Sequence, residues 1–261
     1  MLKRYFLIIT LCFLTACQQN DNALRVGTIT GPETQLVEVA QQIALDQYGL
    51  KIKIIPFADY LQPNTALNEG SIDANIFQHQ PWLDQQNQDH HYQLISIAKG
   101  FIYPMGLYPG KTKTLSALPH GAVIAIPNDP SNEGRALLLL QKAGLIQLSK
   151  KAGIYATPAD IIANPKGLTF KELDAAQLTR SLADVDLAAI NTNFAIEANL
   201  YPNRDALFHE NNDSIYANII VIRANEKNDP RIQQLVDAFH SDAVVKEADK
   251  IFHGQAIRAW H

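Results

Sequence analysis

Along this chain the spacing of apolar residues switches repeatedly between two periods. In Leu24-Arg-Val-Gly-Thr-Ile29 apolar positions alternate with others, the period of a strand. Between Pro32 and Tyr48 they fall at Leu36, Val37, Ala40, Ile43 and Ala44, a helical spacing that Gly49 stops. Lys51 to Phe57 alternates again, Asn64 to Asn68 reads as a short helix ended by Gly70, and Ile72 to Phe77 as extended. The apolar run from Leu94 to Tyr108 is broken by Gly100, Pro104 and Gly106, which is too punctuated for one helix and suits strands passing between two lobes. A second set follows: a strand at Ala122–Ile126, a helix at Pro130–Ala143 closed by Gly144, an extended Leu168–Glu172, a helical Ala175–Leu182, and strands at Leu187–Asn191 and Ala217–Arg223. Pro230 to Phe252 carries helical spacing at Ile232, Leu235, Val236 and Phe239, then Val244, Val245, Ala248 and Ile251. This alternation predicts an α/β protein with mainly parallel sheets, arranged as two units with a ligand cleft between them. The first lobe is assigned residues 24–103 plus 217–261 and the second 104–216.

The front of the chain follows a different rule. Lys3 and Arg4 precede an apolar run from Tyr5 to Ala16, the layout of a secretory signal and too short for a membrane span. It ends in Leu14-Thr15-Ala16-Cys17, which resembles the lipobox of bacterial lipoproteins, where the cysteine is acylated (palmitate among the acyl groups) and becomes the mature N-terminus. Residues 1–16 are then a signal peptide and 17–23 a short lipidated leash, tethering the protein to a membrane of the cell envelope on its periplasmic side. Removing the first sixteen residues takes Lys3 and Arg4 but no acid, so the formal charge falls from −4 to −6. Cys12 and Cys17 are the only cysteines, leaving the mature domain none for a disulfide. Nucleic acid is excluded as a partner, because no Lys/Arg cluster offers a phosphate-binding face.

Polar and aromatic residues collect at the predicted strand ends. Tyr60 follows the second strand; Phe77, His79 and Trp82 follow the third; Asn132 and Arg135 follow the strand at Ala125; Asn191 and Asn193 follow Ala188; Asn218 opens the last strand. In open α/β sheets ligands sit in the crevice beyond such ends. Asn132 and Arg135 are three residues apart, so they share a face near the positive end of their helix. Arg135 can hold a carboxylate bidentately, amide oxygens of Asn191 or Asn193 and of Asn218 can accept from an ammonium, and Tyr60, Phe77 and Trp82 can pack an apolar tail. Sulfur beside aromatic rings is favourable, so a thioether suits that tail. The plainer alternatives are a surface Arg135 paired with Glu133, and a core His79 bonded to backbone.

Other chemistries find less support. His90 and His91 are adjacent and so point apart, and neither a cysteine nor a spaced acid completes a metal set. The body lacks a cysteine nucleophile, a Gly-x-Ser-x-Gly turn, a phosphate-cradling glycine loop and a carboxylate pair at the strand ends, which weighs against a secreted enzyme. No cofactor is called for.

"DYLQPNTALNEGSIDANIFQHQPWL" (Asp59–Leu83), "IPNDPSNEGRALLLLQKAGLI" (Ile126–Ile146), "AAINTNFA" (Ala188–Ala195) and "YANIIVIR" (Tyr216–Arg223) together resemble the methionine-binding lipoproteins of methionine ABC importers, the NlpA lipoprotein family. The resemblance runs from Leu24 to the terminal "KIFHGQAIRAW". It implies a two-lobed periplasmic-binding-protein fold (type II) that closes on L-methionine or a close amino acid and delivers it to a membrane permease driven by an ATPase. Related subfamilies take other amino acids or a dipeptide. On matching positions it implies that Tyr60, Phe77 and His79 wall the methionine side chain, with Trp82 as a further aromatic. It implies likewise that Asn132 and Arg135 bind the carboxylate, and that Asn191 and Asn218, with Asn193 as the ambiguous neighbour, contact the ligand backbone.

Overall fold

The computed structural model describes residues 22–211 and 214–260. The signal segment, Cys17 and nearly all of the leash lie outside them. In chain order the first elements are β1 (Leu24–Ile29), α1 (Pro32–Tyr48), β2 (Ile52–Phe57), α2 (Gln62–Asn68), β3 (Ala74–His79), α3 (Gln80–His90) and β4 (Leu94–Ile102). Then come β5 (Gly106–Pro109), β6 (Val123–Pro127), α4 (Pro130–Lys142), β7 (Gln147–Leu148), β8 (Ile161–Ala163), β9 (Thr169–Leu173), α5 (Leu178–Ser181), β10 (Leu187–Ile190), α6 (Thr192–Glu197), α7 (Pro202–Asp205) and β11 (Phe208–His209). The chain ends with β12 (Ala217–Arg223), α8 (Pro230–Phe239), α9 (Asp242–Ile251) and β13 (Ile257–Arg258).

These strands build two principal sheets, one per lobe. The first runs β13-β4-β12-β3-β1-β2 and the second β11-β5-β10-β6-β9. Within the first, β1 is parallel to β2 and β3, but β12 inserts antiparallel between β3 and β4. In the second, β6 is parallel to β9 and β10 while β5 is antiparallel to β10. Both sheets are therefore mixed, where the alternation of elements predicts mainly parallel ones. The reason is topological: the chain leaves the first sheet after β4, builds the second, and returns against the direction of its departure.

Burial follows the predicted periodicity. Leu36, Val37, Ala40 and Ala44 of α1 join Leu235 and Phe239 of α8 and Val244 and Ala248 of α9 in one core against the first sheet. On that sheet's other face, Leu67 of α2 and Leu83 of α3 pack with Ile219 and Val221. The second lobe has its own core, in which Ala136, Leu137, Leu139 and Leu140 of α4 meet Ile124, Ile126, Leu187 and Ala189. A further apolar cluster joins Ile29, Phe77 and Trp82 of the first lobe with Tyr108, Ala125, Ile190 and Phe194 of the second. Among the described residues no helix is long and apolar enough to cross a membrane.

Candidate functional site

The strand ends that face each other across the lobes line a common cavity. Its lining includes all nine residues singled out from the sequence: Tyr60, Phe77, His79, Trp82, Asn132, Arg135, Asn191, Asn193 and Asn218. It also includes Glu33, Gln78, Tyr103 and Thr192, which sequence reasoning missed. Glu33 and Thr192 each lie just past the end of a strand, so the rule that found the others reaches them too.

One wall is aromatic. The Tyr60 ring lies 5.9 Å from Phe77 and 5.8 Å from Trp82, centroid to centroid. Behind it, Asn64, Asn75 and Gln78 bond to one another at 2.6–2.9 Å in a buried carboxamide network that fixes the end of β3. His79 closes β3 and caps α3: its Nδ1 accepts from the Trp82 N–H at 3.2 Å. The other ring nitrogen therefore carries the proton, and Nε2–H donates to Asn132 Oδ1 at 3.3 Å across the cleft. Burial, with Arg135 nearby, lowers the imidazole pKa to about 3, so it is neutral at ordinary pH.

The opposite wall is built at the start of α4. Asp129 caps the helix by accepting from Asn132 N–H at 2.9 Å, and the Asn132 amide also donates to both Asp129 carboxylate oxygens. Asn132 Oδ1 accepts in turn from Asn191 Nδ2 at 2.9 Å. Asn132 thus lines the cavity with its side-chain oxygen and nitrogen both bonded within the protein. One turn on, Arg135 is 4% exposed. Its Nε and Nη2 donate to Glu210 at 2.8 and 2.6 Å, Nη2 also donates to the Tyr103 carbonyl at 2.9 Å, and the guanidinium stacks 4.3 Å over the Tyr216 ring. Burial pulls the Arg135 pKa down, but the Glu210 carboxylate outweighs that and keeps it charged. The bidentate edge is therefore spent on Glu210, and Nη1 is the nitrogen left for another acceptor. The local alternative, Glu133, is not the partner; Glu210 lies 75 residues away, beyond the reach of any spacing rule.

The remaining carboxamides divide by polarity. Asn191 leaves its Oδ1 without a hydrogen bond, whereas Asn193 accepts the Tyr60 hydroxyl at 2.6 Å through Oδ1 and leaves its Nδ2 unmatched. Asn218 donates to Glu33 Oε1 at 2.5 Å and to the Phe77 carbonyl at 3.1 Å. The Tyr60 and His79 contacts join the lobes, as does the Tyr155 hydroxyl, which donates to the Pro81 carbonyl at 3.0 Å. His90 and His91 lie away from the cavity at the end of α3, and no cluster of three or more potential metal ligands occurs among the described residues.

A family model described as NlpA lipoprotein matches residues 24–260. The chain belongs to that family. A curated relative, the D-methionine-binding lipoprotein MetQ of Salmonella typhimurium, is 46% identical over 95% of this chain and 93% of its own. Among solved structures, an ABC transporter periplasmic substrate-binding protein from Coxiella burnetii superposes with a TM-score of 0.88 at 60% identity, covering 90% of this chain and all of that one. A nutrient-binding protein from Burkholderia cenocepacia bound to methionine gives a TM-score of 0.89 at 48% identity, covering 91% of this chain and 100% of its own. The chain shares with these substrate-binding proteins a two-lobed α/β fold.

Proposed function

We propose that this NlpA lipoprotein is the substrate-binding component of an ABC importer, capturing methionine or a close amino acid between its lobes and handing it to a permease coupled to an ATPase. The observation that carries this reading is the inventory of unmatched polar atoms around an aromatic slot. Asn191 Oδ1 offers an acceptor and Asn193 Nδ2 a donor, beside an Arg135 with Nη1 to spare. Unpaired buried polar groups are costly, so a cavity that keeps both kinds suits a ligand carrying the opposite set, such as an amino-acid zwitterion. The carboxylate would meet Arg135 and Asn193, the ammonium the amide oxygens, and the thioether the Tyr60, Phe77 and Trp82 rings. Asn132 and His79 would hold these groups and the two lobes in register.

The lobes would divide at residues 24–103 plus 217–261 and 104–216, and close as rigid bodies about the two connecting segments. Cys17 would carry the lipid, keeping the domain at the periplasmic face of a membrane near its permease. The names of relatives support methionine without fixing its hand, since MetQ is named for D-methionine. Mass spectrometry of protein purified without ligand stripping, followed by calorimetry with L- and D-methionine on refolded protein, tests the reading. Co-purified methionine and sub-micromolar binding of at least one enantiomer, recovered chemically unchanged, are expected. A different co-purified ligand together with no heat on methionine addition overturns it.

A further inference from the structure

Among the described residues Glu33 is the one carboxyl lining the cavity, and helix formation does not account for its placement. An acidic residue in the first turn of a helix satisfies the dipole equally well from the water-facing side. This one is 3% exposed, in the first turn of α1. Its Oε1 accepts from Asn218 at 2.5 Å, and its Oε2 has no partner among the described residues. Burial pushes its carboxyl pKa well above the usual range, so the ionised form waits on a positive charge arriving beside it. Arg135, the one Lys or Arg in the lining among the described residues, is already paired with Glu210. A buried carboxyl oxygen with no partner is suited to an incoming cation, which would both pair with it and hold it ionised.

We propose that Glu33 is the counter-charge for the ammonium group of the ligand, and thereby the residue that makes the cavity select for a free α-amine. The assignment rests on the amino-acid reading above and deepens it: ligands with a hydroxyl or an acylated nitrogen at that position leave Oε2 unpaired and are rejected.

The test compares methionine with its 2-hydroxy analogue by calorimetry on the unaltered chain and on Glu33→Gln, which keeps the acceptor for Asn218 and the volume. The unaltered chain is expected to prefer methionine strongly. Glu33→Gln is expected to lose about 10- to 100-fold in methionine affinity, the scale of one charge-assisted hydrogen bond, while hydroxy-acid affinity changes by less than about 3-fold. An equal loss for both ligands, or no loss for either, overturns the assignment and leaves methionine binding standing. So does an unaltered chain that binds the hydroxy acid as tightly as methionine, a result that does not depend on the variant folding. An unaltered chain that does not bind methionine at all overturns the functional reading, and this assignment with it.

Discussion

Arg135 and Glu210 form a two-toothed ion pair, with N···O distances of 2.8 and 2.6 Å and side chains 4% and 8% exposed. The pair also stitches the two segments that connect the lobes. Arg135 Nη2 bonds to the Tyr103 carbonyl beyond β4, and Glu210 Oε2 accepts the Met105 N–H at 3.0 Å just before β5. Removing one charge leaves the other buried and alone, so Glu210→Ala is expected to destabilise the fold by about 3–5 kcal/mol. Urea unfolding of the ligand-free domain checks this; a loss below about 1 kcal/mol means the guanidinium finds water or another partner.

His79 provides a pH-dependent contribution of known sign. Its folded pKa of about 3 lies below the ordinary value of 6.5, so below pH 6.5 the unfolded chain takes up a proton that the folded chain refuses. Its stabilising contribution is complete above pH 6.5 and is lost as the pH falls towards 3. Between pH 6.5 and 4.5 this amounts to about 2–3 kcal/mol. His79→Asn keeps a helix-capping side chain without the titration, so its unfolding free energy is expected to fall less over that window. Parallel slopes for the two proteins would sink the assignment.

The Tyr60 hydroxyl spans the cleft to Asn193. Tyr60→Phe keeps the ring against Phe77 and Trp82 but leaves the Asn193 oxygen unmatched. Ligand affinity is expected to drop by about 1–2 kcal/mol, with little change in the stability of either lobe. Calorimetry alongside thermal unfolding separates the two effects.

Gly134 is required by a close approach. A Cβ there would lie 2.2 Å from the Ile154 carbonyl oxygen and 2.9 Å from the Ala156 nitrogen, backbone atoms of and beside the turn at Gly153–Tyr155. That turn presents Tyr155 to Pro81 across the cleft. Gly134→Ala is expected to cost about 1–3 kcal/mol of stability and to weaken ligand capture by displacing this contact. Unchanged melting temperature and affinity would show that the turn moves aside freely.

Much of this was legible in the amino-acid order because burial imposes its period on long elements. The helix at Pro32–Tyr48 and the strand at Ala217–Arg223 match the predicted bounds residue for residue, and the punctuated run after Leu94 divides into β4 and β5 with the lobe connection between them. Pro230–Phe252 breaks at His240 and Ser241, polar positions where α8 ends and α9 begins. α3 escaped because among its eleven residues only Pro81, Trp82 and Leu83 are buried, too few to set up a period. The site residues showed because they follow strands. Their division of labour did not: the Arg135–Glu210 pair and the Asn132 relay are made by residues 75 and 53–59 positions apart, which only the folded chain brings together.

The place of β12 has a consequence for the order of assembly. It is an inner strand of the first sheet, hydrogen-bonded to β3 and β4 on either side, yet it is made after the whole second sheet. Until residue 223 has left the ribosome, β3 and β4 have only open edges to offer each other. The amino-terminal lobe is therefore the later of the two to become whole.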